Sequence, residues 1–494
     1  MSQKIKIDPI TRIEGHMAVE AVVEDGQVKE ARCAGTLFRG FEIILRGRDP
    51  RDASRLTQRI CGVCPTAHAT ASALCIDDAF ALTENIPNNA RLIRALIFGS
   101  NFLQSHILHF YHLAALDYVD AVGAVGELSP FVPRYEGDYR VSGQANAQLV
   151  NHYLQALDIR RKCQEMLSIF GGKMPHNVGI VAGGVTEKPT EDKITNFLWR
   201  LNEIRDFVDN TYIPDVIAVA KAYGDYFQIG AGCRRMLAYG GFDLPTGKLF
   251  QAGIVSPNLK AEPFDKENIT EDLKHSWYAD GDSGRNPAAG DTRPEPNKSR
   301  AYSFIKSPRY QGKVCELGPL ARMVNNYVRG EKTTKELIDS LLAELNAETD
   351  ALFSVLGRHA ARALESKLVA DAMVDWLQAI KPAEPTIVGH EIPDTAQGAG
   401  LTEAPRGAVG HWMTIKDKKT QRYQVITPTA WNASPKDDKD QPGAVEQALL
   451  GTKVKDKDNP FELVRIVRAF DPCLACSVHL LDARGSKLAE FRVV

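Results

Sequence analysis

The sequence predicts a mainly α protein with smaller α/β parts, organised around a central bundle of long helices. Three observations carry that expectation. Apolar residues recur at helical spacing over long stretches in the middle of the chain, and period-two alternation is clearest near its start. The segment 230–330 is rich in Gly, Pro, Asp and Asn and holds no long period of either kind. At 494 residues the chain is long enough to bury a large core in several packed parts.

Residues 1–60 read as a strand and hairpin region, because HMAVEAVVEDGQVKEARCAG alternates on both sides of Asp25-Gly26, a dipeptide that accepts a tight hairpin turn. From Asn88 onward, Leu92, Ile93, Leu96, Ile97, Leu103, Ile107 and Leu108 fall on one side of a helix. A second helix is expected over 146–170, stopped by Gly171-Gly172, and a third over 191–222, interrupted near Pro214. Together these make one part of the helical core, about 85–225. Residues 230–330 (DGDSGRNPAAGDTRPEPNKSR within them) read as loops with short strands. Thr333 and Glu336 have capping-box spacing and would open the second helical part, about 333–380, which ends before Pro382. Strands and loops fill 383–479. No internal repeat or low-complexity segment interrupts this order.

Composition excludes several functions. A formal net charge of -2 gives no global attraction to nucleic acid or anionic lipid. Apolar content of 44% and charged content of 25% are those of a soluble globular protein, and no apolar run is long enough to cross a bilayer. The opening MSQKIKIDPITRIEGH goes directly into strand-like sequence, so no secretory or twin-arginine leader is expected. Nine cysteines in such a chain do not form a disulfide scaffold. Cys33, Cys75, Cys163, Cys233 and Cys315 are scattered and are expected to be small buried hydrophobes.

The other four are paired. RICGVCPTAH holds Cys61 and Cys64; DPCLACSVH holds Cys473 and Cys476. Spacing alone admits a structural zinc site or an iron–sulfur cluster. Zinc ribbons usually bring their pairs close in sequence, whereas these lie at opposite ends, so the site would join the extremities of a large fold.

The two pairs occur with ITRIEGH, RGFEIILRGRDPRDA, HFYHLAALDYV, GGKMPH, SPRYQGKVCELGPLARM, TEAPRGAVGHW and TAWNASP. In this order they resemble the segments of nickel–iron hydrogenase large subunits, over essentially the whole chain. LIFGSNFLQSHILHFYHLAALDYV and EIPDTAQGAGLTEAPRGA look closest to the branch containing nickel–iron–selenium enzymes, whose selenocysteine position is Cys473 here. The resemblance implies the hydrogenase large-subunit fold and the catalytic subunit for reversible heterolytic cleavage of H2. Zinc has no redox chemistry for that task, while soft thiolates suit nickel and low-valent iron.

By resemblance, Cys61 and Cys473 would be terminal nickel ligands, and Cys64 and Cys476 would bridge nickel to an iron carrying CO and cyanide. Cys473 would accept a proton and Glu14 would relay it; the plain alternative for Glu14 is a surface carboxylate in a strand-to-loop turn. Arg406 would sit over the open side of the metals, oriented by Asp117 and Asp471, with a surface ion pair as its plain alternative. Pro405 and Thr429 would line the cyanide pocket. Magnesium (or iron) would be bound by Glu42, the Val425 carbonyl and His479. His106, His109 and His112, at helical spacing with no carboxylate among them, are expected to pack and hydrogen-bond.

The same resemblance implies an iron–sulfur small subunit, nickel and iron insertion proteins, and an endopeptidase that cuts between His479 and Leu480. Residues 1–479 would then be the working subunit and 480–494 a removable extension. Periplasmic location would follow from co-export with the small subunit, a cytoplasmic one being the alternative. Other readings are a regulatory H2-sensing subunit, a four-cysteine zinc or iron–sulfur structural protein, and a relative of the respiratory complex I subunit that lacks these thiolates.

Overall fold

The N-terminal region is a three-stranded antiparallel sheet of β1 (Gln3–Ile7), β2 (Met17–Glu24) and β3 (Gln27–Gly35), ordered β1-β2-β3. Asp25 and Gly26 form the expected turn, with φ of 50 and 76°. Alternation places Met17, Val19, Ala21 and Val23 inside. This computed structural model describes residues 2–128, 131–132 and 137–477, with only the backbone of Ser477. His479 and the extension 480–494 lie outside the described residues.

The helical core begins with α1 (Pro65–Ala79) and α2 (Asn88–Leu108), both buried along most of their length. α3 (Gly143–Gly171), α4 (Glu191–Phe207) and α5 (Ile213–Ala222) complete the first helical part, α3 packing on α2 and α4 on α3. α3 starts a little before the expected position and stops, as expected, at Gly172. The interruption in the third expected helix is a wide π turn, Val208–Tyr212, just ahead of Pro214. Proline offers no N–H and its ring crowds the preceding turn, so a wider turn relieves both problems. A second π turn, His109–Ala114, extends α2.

α6 (Pro319–Val328) lies in a segment expected to be loop. α7 (Lys332–Leu345) and α8 (Val355–Gln378) occupy the second helical part as two helices, not one. The capping box expected from Thr333 and Glu336 does not form. Glu331 caps α7 instead, its carboxylate accepting from Thr333 N (3.0 Å) and Thr334 N (2.7 Å), because an ionised acceptor beats a hydroxyl for orphan amides. α8 packs against α2, α4 and α5 and so closes the bundle.

Near the C-terminus, β4 (Thr395–Ala404), β5 (Gly407–Lys416) and β6 (Lys419–Ile426) make an antiparallel sheet against which α1 lies. α9 (Phe461–Ala469), in a stretch expected to be strand and loop, leads to the short α10 (Leu474–Ser477). The buried apolar side chains form one cluster running from Ile5 to Cys476. Among the described residues no helix is long and apolar enough to cross a membrane.

Candidate metal centre

The two chain ends meet in a short parallel bridge between Glu14 and Cys473. Leu474 N donates to Glu14 O at 2.7 Å, and Glu14 N to Pro472 O at 3.3 Å. Gly15, at φ 81°, is required here: a Cβ would stand 2.8 Å from Leu474 Cβ and 2.9 Å from Ala475 N. Gly15→Ala should therefore destabilise the protein by about 1–3 kcal/mol and lower its bound nickel, measured by thermal unfolding and elemental analysis.

Cys61 follows a tight helical turn, Thr57–Ile60, and Cys64 caps the N-terminus of α1, where Pro65 starts the helix without an orphan N–H. Asp471, at φ 55°, turns the chain from α9 into Cys473, and Cys476 lies on α10. The result is four buried sulfurs all within 4.8 Å of one another. Cys61–Cys473 and Cys64–Cys476 are each 3.3 Å apart, and Cys473–Cys476 is 3.0 Å. None is in a disulfide.

Four thiols in so small a buried volume cannot all ionise unaided. Burial raises the Cys61 thiol, but hydrogen bonds from Cys473, Cys476 and Cys64 and the charge of Arg406 outweigh it and pull it well below the ordinary thiol range. Val63 N and Cys64 N also point at its sulfur, both at 3.3 Å. Burial and the neighbouring sulfurs push Cys473 up. Cys61 is thus the sulfur this shell most favours as a thiolate, and a pair of soft cations would satisfy all four. The donor set fits a nickel–iron pair.

Arg406 stands at the turn between β4 and β5, buried. Nε donates to Asp471 O (3.1 Å), Nη1 to Ser105 Oγ (3.3 Å), and Nη2 lies 3.1 Å from Asp471 Oδ1. Burial works to lower its pKa, but Asp471 and the Cys473, Cys64 and Cys61 sulfurs raise it well above the usual value, so it stays a cation beside the sulfurs. Nη2 has no well-aligned hydrogen-bond acceptor among the described residues.

Asp117 corrects an expectation. Its carboxylate is engaged by Arg12 and Arg468, and Ser105 occupies the second contact on Arg406. Burial tends to raise Asp117, but Arg468, Arg12 and Arg465 hold it lowered. Its work is to tie the N-terminal segment to α9, since Arg12 lies two residues before Glu14 and Arg468 three before Asp471.

Glu14 Oε2 accepts from Ala475 N at 2.8 Å and from the Cys473 thiol at 3.2 Å. Burial, then the negative charge on Cys61, raise its pKa. Thr429 Oγ1 accepts from Cys473 N at 3.0 Å, which leaves its own proton to donate elsewhere. Pro405 is buried beside Arg406, its carbonyl accepting from Arg322 at 2.9 Å.

Glu42 and Val425 are both buried and in contact, but through the Val425 amide, which donates to Oε1 at 3.0 Å. Oε2 accepts from the Thr292 hydroxyl. Lys306 Nζ reaches Glu271 (3.1 Å) and Gln424 (3.0 Å) in the same pocket. Carboxylate and amide oxygens suit magnesium, so the described donors fit such an ion. His479 lies outside the described residues.

The three histidines make ordinary hydrogen bonds: His106 to Glu365 (2.9 Å), His109 to Arg468 O (2.7 Å) and His112 to Tyr153 O (3.2 Å). Sequence reasoning noted His68 in RICGVCPTAH without giving it a task, and missed Arg39 and Ser105. His68 puts Nε2 3.5 Å from Cys476 Sγ and Nδ1 3.2 Å from His411 Nε2, and burial lowers its pKa to about 4, which keeps the ring neutral. Arg39 donates to Ala475 O at 2.8 Å and also to Ile60 O, bracing the residues just before Cys476 and Cys61. Its signal was the RGFE segment, in which Arg39 stands three residues before Glu42. Ser105 had no signal, being one small polar residue in a buried helix.

A family profile described as nickel-dependent hydrogenase matches residues 39–126 and 124–479. The chain is 46% identical to the periplasmic NiFeSe hydrogenase large subunit of Desulfomicrobium baculatum, over 97% of this chain and 95% of that one. It is 37% identical to the uptake hydrogenase large subunit of Bradyrhizobium diazoefficiens, over 99% and 97%. The Ni-Fe-Se hydrogenase of Desulfovibrio vulgaris Hildenborough in the reduced state superposes with a TM-score of 0.90 at 47% identity, covering 97% of this chain and 100% of that one.

Proposed function

The chain belongs to the nickel-dependent hydrogenase family and is a catalytic large subunit of a nickel–iron hydrogenase, and from that premise we propose how its residues divide the work of splitting H2. The observation that carries the reading is the convergence of Cys61, Cys64, Cys473 and Cys476 within 4.8 Å.

A nickel–iron pair bound there, with CO and cyanide on iron, supplies the open redox position at which H2 gives protons and electrons. Cys61, Cys64, Cys473 and Cys476 would hold the two metals, Cys61 and Cys473 on nickel and Cys64 and Cys476 shared with iron. The Cys473 sulfur receives the proton and passes it to Glu14, a step supported by their 3.2 Å separation and by the raised pKa of Glu14. Arg406 presents a permanent cation to the substrate side, oriented by Asp471 and Ser105. Pro405 and the Thr429 hydroxyl line the cyanide pocket. Glu42, the Val425 carbonyl and His479 would hold a magnesium or iron ion.

Electrons leave through an iron–sulfur small subunit in a heterodimer; relatives are named as large subunits, and the cysteine tetrad is the one metal-capable group of its kind among the described residues. Insertion proteins load the metals, and an endopeptidase then removes 480–494, so that 1–479 is the working subunit. The complex works in the periplasm, reached by co-export with the small subunit.

Elemental analysis of the large subunit, separated from its iron–sulfur partner, should give nickel and iron in equal amounts where the third site holds magnesium, with an intact mass ending at His479. Zinc in place of both metals would reject the reading. Weak H2 turnover from a chain retaining 480–494 would favour the H2-sensing alternative.

A further inference from the structure

The segment SPRYQGKVCELGPLARM stood out in the sequence but has so far received no task. Its arginine, Arg322 on α6, is fully buried and uses all five of its N–H donors. Nε and Nη2 form a fork on Glu365 of α8 at 2.9 and 2.6 Å, and Nη1 donates to Glu403 of β4 at 2.8 Å. The two remaining donors go to the carbonyls of Ala404 (2.8 Å) and Pro405 (2.9 Å), the two residues immediately before Arg406. The rings of Phe102 and Phe250 lie 5.2 and 5.4 Å from the guanidinium carbon.

Both carboxylates are anchored in turn. Glu365 takes His106 Nε2 at 2.9 Å, and Glu403 takes Tyr239 N at 2.6 Å. The same motif also touches the turn backbone to backbone. Gly407, at φ 131°, has no room for a Cβ, which would fall 2.7 Å from Gly318 N. Asn432 fixes Leu317 from behind, donating to its carbonyl and accepting from its amide, both at 2.9 Å.

A buried cation between two buried carboxylates is a poor way to gain stability, because well-packed apolar side chains of similar volume often do as well or better. What such a cluster does supply is direction: a planar fork fixed at five points transfers its position to the two carbonyls it grips. We propose that Arg322, held by Glu365 and Glu403, is a positioning residue that mounts the Ala404–Pro405–Arg406 turn over the metal centre. This rests on the reading of Arg406 and Pro405 given above. Arg322 itself touches neither substrate nor metal. Lysine cannot replace it, having three donors on one nitrogen and no fork.

The test uses the matured heterodimer carrying Arg322→Lys, with Glu403→Gln as the milder variant should the first not mature, and Arg406→Lys in parallel. At parental nickel and iron content, Arg322→Lys is expected to lower kcat for H2 oxidation by about 10–100-fold with KM little changed, since small misplacements of positioned groups cost that much. The infrared bands of the CO and cyanide on iron should shift as well, in the same sense as those of Arg406→Lys. A merely structural role would lower yield and melting temperature and leave the bands in place. Unshifted bands and parental kcat in metal-loaded Arg322→Lys or Glu403→Gln, beside a shifted Arg406→Lys, would overturn the inference and leave the reading of Arg406 intact. If Arg406→Lys changes neither rate nor bands, that reading has failed, and the mount fails with it.

Discussion

Cys476→Ala protein is expected to fold, to carry no nickel above background and to show no H2 activity. The sulfur removed lies 3.0 Å from Cys473 Sγ, 3.3 Å from Cys64 Sγ and 3.5 Å from His68 Nε2, so its loss opens the shell on one side. Three thiols would remain, none of them able to take over a bridging place. The stability cost is small, because the deleted group is about the size of a methyl: about 1 kcal/mol. A control separates the two effects. Cys163→Ala removes an equally buried thiol from α3, far from the tetrad in sequence and absent from it in space, and should cost similar stability with no loss of nickel or rate. If closure of the C-terminal segment waits for the metals, the Cys476→Ala chain also retains residues 480–494 on intact-mass measurement. Nickel bound at parental level with measurable turnover would refute the bridging assignment.

Much of this centre was legible in the sequence, and the pattern of success has a physical basis. The cysteine pairs were readable because metal chemistry restricts residue type and local spacing severely; C-x-x-C survives any amount of intervening chain. The long helices were readable because α2 and α3 bury a continuous face over many turns. α9 and α6 were not, because each is short and starts at or just after a proline inside a stretch whose turn residues read as loop. Asp117 shows a different limit. An aspartate near a buried arginine looks like its orienting partner, yet four arginines (Arg12, Arg406, Arg465 and Arg468) crowd this region, and only geometry assigns the carboxylate to Arg12 and Arg468. Similarly, the spacing of Thr333 and Glu336 was right for a capping box, but Glu331, two residues before Thr333, offered the stronger acceptor.

The contact between chain ends also shows how residues so distant in sequence, Glu14 and Cys473, come to share one site. Arg39, Asp117 and the Glu14–Cys473 bridge each tie an N-terminal element to the stretch 468–475. Each tie is formed only when the last segment is seated. Under the proposed reading, Glu14 would therefore meet its sulfur partner only once the segment carrying Cys473 is in place.

Glu14→Gln isolates the proton step from that assembly. Glutamine has the same shape, and its carbonyl oxygen keeps the acceptor for Ala475 N at the 2.8 Å position, so the bridge and the metals should stay. What it lacks is an ionisable oxygen 3.2 Å from Cys473 Sγ. H2 turnover should fall by about 10²–10⁴-fold, the range for loss of a general base, at parental nickel content. The pH profile supplies a second check. Burial and the Cys61 charge raise the Glu14 pKa, favouring its protonated form. The carboxyl thus still exchanges a proton where a free glutamate would be wholly ionised. The parental rate should show an inflection above the ordinary glutamate range that Glu14→Gln lacks, and Glu14→Asp, one methylene shorter, should keep it at reduced rate. Turnover of Glu14→Gln within a few-fold of the parent, with the inflection intact, would mean that the proton departs by another route and that Glu14 serves only to brace the C-terminal strand.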